Sequence, residues 1–217
     1  MQSSAVQMLV AARCVANYAR ELGADLPHLE IRPTYGHMGA LVADSVLQAG
    51  LNYNSVVRPR VLAILENYPT MSNTSGLREI VELGRTSELL NWTHGEKINR
   101  FNALVLFLDN EAIDSVCDLK AYLKDADVRT TPLRSVRGVG PKTVDYLSCL
   151  VGLDTVAVDR HVRTFAKRVG VMEDDYDFLK TVFCCAADLL SVSRRSFDAW
   201  VWQRESSVAA RQMTFAF

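Results

Sequence analysis

The sequence predicts an all-α protein of about ten helices. Apolar residues recur at three- and four-residue spacing through most of the chain, the period of a helix with one buried face. Strict alternation of apolar and polar residues, the mark of a half-buried strand, is scarce. Glycine and proline punctuate the helical stretches at intervals that suit short connections.

Taken in order, Ala5 to Leu22 reads as the first helix, stopped at Gly23. Asp25 to Gly36, with Pro27 and Pro33, is a connector. Met38, Leu41, Val42 and Ser45 share one face of the next helix. Gln48 to Asn54 breaks the period. Ser55 is placed to cap a helix that tolerates Pro59 in its first turn and ends near Asn67, before Pro69. Ser75 to Leu83 and Thr86 to Trp92 are short helices separated at Gly84. Glu96 to Leu108 carries Ile98, Phe101, Val105 and Leu108 on one stripe. Ser115 to Lys124 follows, and Pro132 opens a helix that leads into a glycine turn. The last four helices are expected over Pro141 to Val151, Arg160 to Val169, Tyr176 to Leu190 and Arg194 to about Ala209. In the second of these, Val162, Phe165, Ala166 and Val169 form the buried face, and Gly170 is the stop.

A chain of 217 residues holds one large domain or two small lobes. Its 49% hydrophobic and 23% charged residues are ordinary for a globular protein, and its net charge of −1 does not advertise a polyanionic partner. The distribution is more telling. Between Arg134 and Arg168 seven Lys and Arg stand against Asp145, Asp154 and Asp159. A local basic face on a neutral protein suits a focused phosphate contact, and equally a solvated helix face. The N-terminal apolar stretch lacks a basic leader, so a signal peptide is not expected, and no run is long enough for a membrane span. Five cysteines at 14, 117, 149, 184 and 185 show no ligand spacing. They read as reduced, mostly buried thiols of an intracellular protein, cytoplasmic or nucleoid-associated in a prokaryote, with no metal site.

One stretch concentrates the chemistry. Gly138-Val139-Gly140 sits between two helical patterns, and Pro141 suits the first position of the second helix. The N–H groups of such a turn and helix start can cradle a phosphate. Lys142 lies one residue inside that helix. Asp159 follows 17 positions later, after an apolar strip, and opens another helix.

These elements resemble the helix-hairpin-helix Gly-Pro-Asp superfamily of DNA glycosylases, which includes endonuclease III, adenine glycosylase, 8-oxoguanine glycosylase and alkyladenine glycosylases. The resemblance rests on Gly138-Val139-Gly140, on Lys142 at the lysine position of the bifunctional members, and on Val158-Asp159-Arg160-His161-Val162 around the essential aspartate. It is close from Leu133 to Gly170 and weaker back to about Met38. It implies two helical lobes. One spans 33–153 and holds the hairpin over about 132–151. The other joins 1–32 to 154–217, and Asp159 would stand where the chain crosses between them. Endonuclease III-like members carry four C-terminal cysteines around an iron–sulfur cluster. This chain has only Cys184 and Cys185 there, so no cluster and no other cofactor is expected.

The resemblance also implies a reaction. Cleaving an N-glycosidic bond builds positive charge at C1′ of the sugar, and a fixed carboxylate beside that carbon stabilises it. Asp159 is the candidate, and capping the helix at Arg160 is compatible with that role. Lys142 would attack C1′ and form a Schiff base that permits β-elimination. The attack needs a neutral amine, whereas an ordinary lysine titrates near ~10.4. The positive end of the helix dipole favours the neutral form. Lys142 as a phosphate contact, or paired with Asp145, is the plainer reading. Gly138, Val139 and Gly140 would offer N–H groups to DNA phosphate, with Arg137, Thr143, Arg160 and Arg163 as further DNA contacts. Gln48, Leu51, Asn52 and Tyr53 resemble the loop that fills the gap left by an extruded base. Trp200 and Trp202 are assigned to core packing.

The expected function is therefore excision of a damaged or modified base from double-stranded DNA by a monomer, with AP-lyase activity. Two alternatives stand beside it. One is a monofunctional glycosylase that uses water. The other is a non-catalytic hairpin module that binds DNA.

Overall fold

The computed structural model describes residues 5–24, 34–128 and 130–214, with side chains placed as far as 207. Most of the connector expected over Asp25 to Gly36 lies outside the described residues. Among the described residues there are eleven α-helices and no strand. They are α1 (Ala5–Glu21), α2 (Met38–Leu47), α3 (Arg58–Asn67), α4 (Thr74–Glu82), α5 (Thr86–Leu89), α6 (Gly95–Asn110), α7 (Val116–Asp125), α8 (Pro141–Leu150), α9 (Arg160–Arg168), α10 (Tyr176–Leu190) and α11 (Arg194–Thr214). A π-helical turn spans Tyr53–Val57 and a 3-10 turn spans Pro132–Ser135. The chain divides into two compact units, Thr34–Leu153 and Met1–Pro33 with Asp154–Phe217.

In the unit Thr34–Leu153, α2 is the central element. All ten of its residues are buried, and α3, α4, α6 and α8 pack around it. A single buried stripe, as expected from Met38, Leu41, Val42 and Ser45, therefore understates it. A helix that is apolar nearly all round has no face to give to water. Its start is fixed by His37, whose Nδ1 accepts the Ala40 N–H at 3.1 Å. That leaves Nε2 as the protonated nitrogen, 2.9 Å from the Tyr68 carbonyl, which it ties to the end of α3.

Capping differs from expectation at α3. Ser55 does not cap it; Val57 precedes it with no side-chain cap, and Pro59 lies in its first turn. Asn52 is the capping residue instead, and it opens the π turn by accepting the Ser55 N–H at 3.0 Å. At α7 Ser115 and Asp118 form a reciprocal capping box, which satisfies two otherwise orphan donors.

The second unit packs α1 along α10, and α9 against α11. Its core joins Ala12, Val15, Ala16 and Ala19 of α1 to Val162, Phe165 and Ala166 of α9 and to Leu179, Val182, Phe183 and Ala186 of α10. Small residues on α1 let the two helices approach closely. Phe183 stacks on Phe197, which stacks in turn on Trp200 with an interplanar angle of 12°. Trp200 is half-buried and packs against this core, and Trp202, also half-buried, meets His161 edge-on at 6.1 Å.

None of the five cysteines is in a disulfide, and only Cys149 is buried. Cys14 and Cys117 are exposed and Cys184 and Cys185 half-buried, so the expectation of mostly buried thiols is corrected. A cysteine takes the burial of its helix position: α1 and α7 turn residues 14 and 117 away from their apolar stripes.

Candidate functional site

The glycine turn is asymmetric. Gly138 has φ +85°, a left-handed conformation that disfavours a side chain. Gly140 is extended (φ −107°, ψ −177°) and caps α8 through its backbone alone. A Cβ added at Gly140 would meet nothing within 4 Å, so internal packing does not require glycine there. The helix expected to start at Pro132 is only a single 3-10 turn, because Val136 already leaves it in an extended conformation. Val139 is buried and spends its N–H on the Val136 carbonyl at 2.9 Å. Its amide is therefore committed within the turn and is not offered outward, contrary to expectation. Arg137 is exposed, and the Thr143 N–H bonds back to the Gly140 carbonyl at 2.9 Å.

Pro141 fits the first turn of α8, and Lys142 follows it. The Lys142 side chain is half-buried. Its Nζ donates to Gln48 Oε1 and lies 5.1 Å from the centre of the Tyr146 ring, one helical turn on. Tyr146 is itself anchored, its hydroxyl donating to Asp44 Oδ1 at 2.7 Å. Asp44 lies in the centre of α2 and is fully buried. Its other oxygen accepts the Tyr35 hydroxyl at 2.8 Å and the Tyr53 hydroxyl at 3.1 Å. Burial, and next the Asp44 carboxylate, push the Tyr35 hydroxyl far above its usual range, so it remains a neutral donor. Three tyrosines from three segments thus converge on one carboxylate, and one of them underlies Lys142.

The four residues of the expected wedge loop do different things. Gln48 holds Lys142. Tyr53 turns inward to Asp44, and Asn52 is the cap of the π turn. Leu51 is half-buried and lines a cavity of about 380 Å³ together with Trp92, His94, Glu96, Lys97 and Arg100. Lys97 donates to the Val46 and Ala49 carbonyls at 2.8 and 2.6 Å, the orphan acceptors at the end of α2. Burial first, then Arg100 and Lys142, bring its titration down to about 8.

Asp159 belongs to the other unit. It is the N-cap of α9, with Oδ1 accepting the His161 N–H at 2.7 Å and the Val162 N–H at 3.1 Å. One carboxylate oxygen is thereby fixed, and the side chain keeps partial exposure. Arg160 is exposed, and its Nε lies 3.3 Å from His161 Nε2. Arg163 is engaged in an ion pair with Asp174 at 2.6 Å. Among the described residues no group of three His, Cys, Asp or Glu side chains is placed to hold a metal ion, and no helix is long and apolar enough to cross a membrane.

Sequence reading did not single out Asp44, Tyr35, Tyr146, Lys97 or Arg100. Asp44 carries a usable signal, the one charged residue inside the largely apolar run Met38–Leu47. A break of that kind in a local pattern marks a strained or functional position. Comparison with protein-family models, with curated proteins and with solved structures found no match to this chain.

Proposed function

We propose that this protein is a DNA glycosylase that excises a damaged or modified base from double-stranded DNA, with Lys142 as nucleophile and AP-lyase activity following from it. The observation that carries the reading is the setting of Lys142. It stands in the first turn of α8, behind a glycine turn, held by Gln48 and backed by the Tyr146 ring. In the reaction the Nζ lone pair attacks C1′, and the C1′–N bond breaks with its electrons passing to the base, which takes up a proton. Opening of the sugar ring gives an iminium, and loss of the C2′ proton then expels the 3′ phosphate. We assign to Asp159, one oxygen of which is fixed by the α9 amides, the role of the carboxylate that offsets the positive charge developing at C1′. The protein acts as a monomer on genomic DNA inside the cell, and the chemistry needs no cofactor.

A second reading has its own support. The face of the Tyr146 ring attracts an ammonium, and a lysine that stays protonated would contact DNA while water attacks C1′. Borohydride trapping separates the two. Wild-type protein incubated with a panel of lesion-bearing and abasic duplexes should form a covalent adduct with at least one, and Lys142→Gln should form none. Base release without trapping on any substrate would establish the water mechanism. Neither trapping nor base release across the panel would refute the glycosylase reading.

A further inference from the structure

Arg100 has an unusual position. It is half-buried on α6, and its guanidinium presses against Gly138, where an added Cβ would fall 2.4–2.5 Å from Nε, Nη2 and Cζ. Its Nε is buried and has no hydrogen-bond partner. Trp92, which lines the same cavity, likewise keeps a buried indole N–H without a partner. The surroundings of Arg100 are cationic. Lys97 feels the repulsion of both Arg100 and Lys142, and the exposed Glu96 acts the other way. A guanidinium N–H withdrawn from water without an acceptor is costly, and proteins rarely leave one so unless a ligand completes the group. Its planar fork matches the oxygens of a phosphate.

We infer that Arg100 and Lys97 form a phosphate site beside the glycine turn, which takes one backbone phosphate of a DNA strand. This rests on the DNA reading above. The site differs from the turn's own amides, since its donors are side chains of α6, one of which lies against Gly138. The cavity of about 380 Å³ exceeds the volume of a phosphate, and Leu51 and Trp92 give it an apolar wall for the attached nucleoside. Gly138 then has two duties, the left-handed turn and a surface flat enough for Arg100 to lie on.

The test is the salt dependence of duplex binding, measured by fluorescence anisotropy on the full chain. Each phosphate contact contributes about 0.9 to the slope of log K against log salt. Arg100→Gln should lower that slope by about one contact and weaken binding about five- to tenfold near 0.15 M salt. Arg100→Lys should keep the slope and lose only part of the affinity, because charge remains while the fork is lost. Thermal melts show whether each variant is folded. A folded Arg100→Gln with unchanged slope and affinity overturns the site. Inorganic phosphate, followed through the Arg100 Nε–H resonance, distinguishes the sources. A shift with phosphate but none with duplex would assign the site to a free anion and overturn the DNA assignment. A shift with duplex but no base excision on any substrate would leave the phosphate site standing while the catalytic reading falls.

Discussion

Replacing Asp44 with Asn tests the framework beneath Lys142. The wild-type carboxylate accepts three tyrosine hydroxyls, from Tyr35, Tyr53 and Tyr146, at 2.7–3.1 Å in a fully buried position. Hydrogen bonds to a charged group contribute about 1.5–3 kcal/mol each, and a buried group left without its partner costs about 1–3 kcal/mol. An asparagine keeps one accepting oxygen, so one side of the cluster survives and the other faces an amide donor. The expected loss is about 2–4 kcal/mol, or about 4–16 °C in the melting of a chain this size. Tyr146→Phe removes one hydroxyl and keeps the ring under Lys142. If Asp44 acts through Tyr146, the double variant should be less destabilised than the sum of the two single ones, by about 1–2 kcal/mol. Urea unfolding of the four proteins gives this coupling. Additive losses, within about 0.5 kcal/mol, would refute the idea that Asp44 holds Tyr146, whatever the individual values.

Other substitutions address other parts of the site. Asp159→Asn should retain most of the α9 cap and duplex binding while reducing single-turnover base excision by at least about 100-fold, the scale of losing one preorganised electrostatic group; near-normal excision would remove Asp159 from the mechanism. Gly138→Ala should cost at least about 1 kcal/mol from the left-handed φ alone and should also displace Arg100; a variant as stable as wild type by urea denaturation would contradict the close packing. Lys97 titrates near 8 in the folded chain against an ordinary 10.5, so the unfolded chain binds more protons between those values. Through this group stability should therefore rise as pH goes from about 8 to about 10.5, and Lys97→Met should flatten the rise relative to wild type. Parallel stability curves for the two proteins would show that burial of Lys97 has no such effect.

Much of the helical framework was legible in the sequence. The bounds of α10, the start of α8 at Pro141 and the stop of α9 before Gly170 follow from signals within a turn or two of each end, which act on backbone groups a few residues away. Asp159 as the cap of α9 belongs to the same class. Where two local signals competed, sequence reading went astray. Ser55 and Asn52 are both good caps, and the choice of Asn52 depends on a π turn whose Tyr53 is drawn inward by Asp44. The helix expected from Pro132 shrank to the single turn Pro132–Ser135 because a helical period says little over so few residues.

The chemistry of the Lys142 surroundings is a matter of tertiary structure. Tyr146 stands 102 positions from Asp44, and Lys142 stands 94 from Gln48. Arg100 reaches Gly138 only because α6 and the glycine turn are folded onto the same side of their unit. The sequence by itself determined which segments become helices, since capping, periodicity and glycine stops act over short range. Which side chains share a carboxylate, which amine lies over a ring and which guanidinium N–H is left without an acceptor was decided by packing α2 at the centre, because burial forces distant polar groups to satisfy one another or to await a ligand.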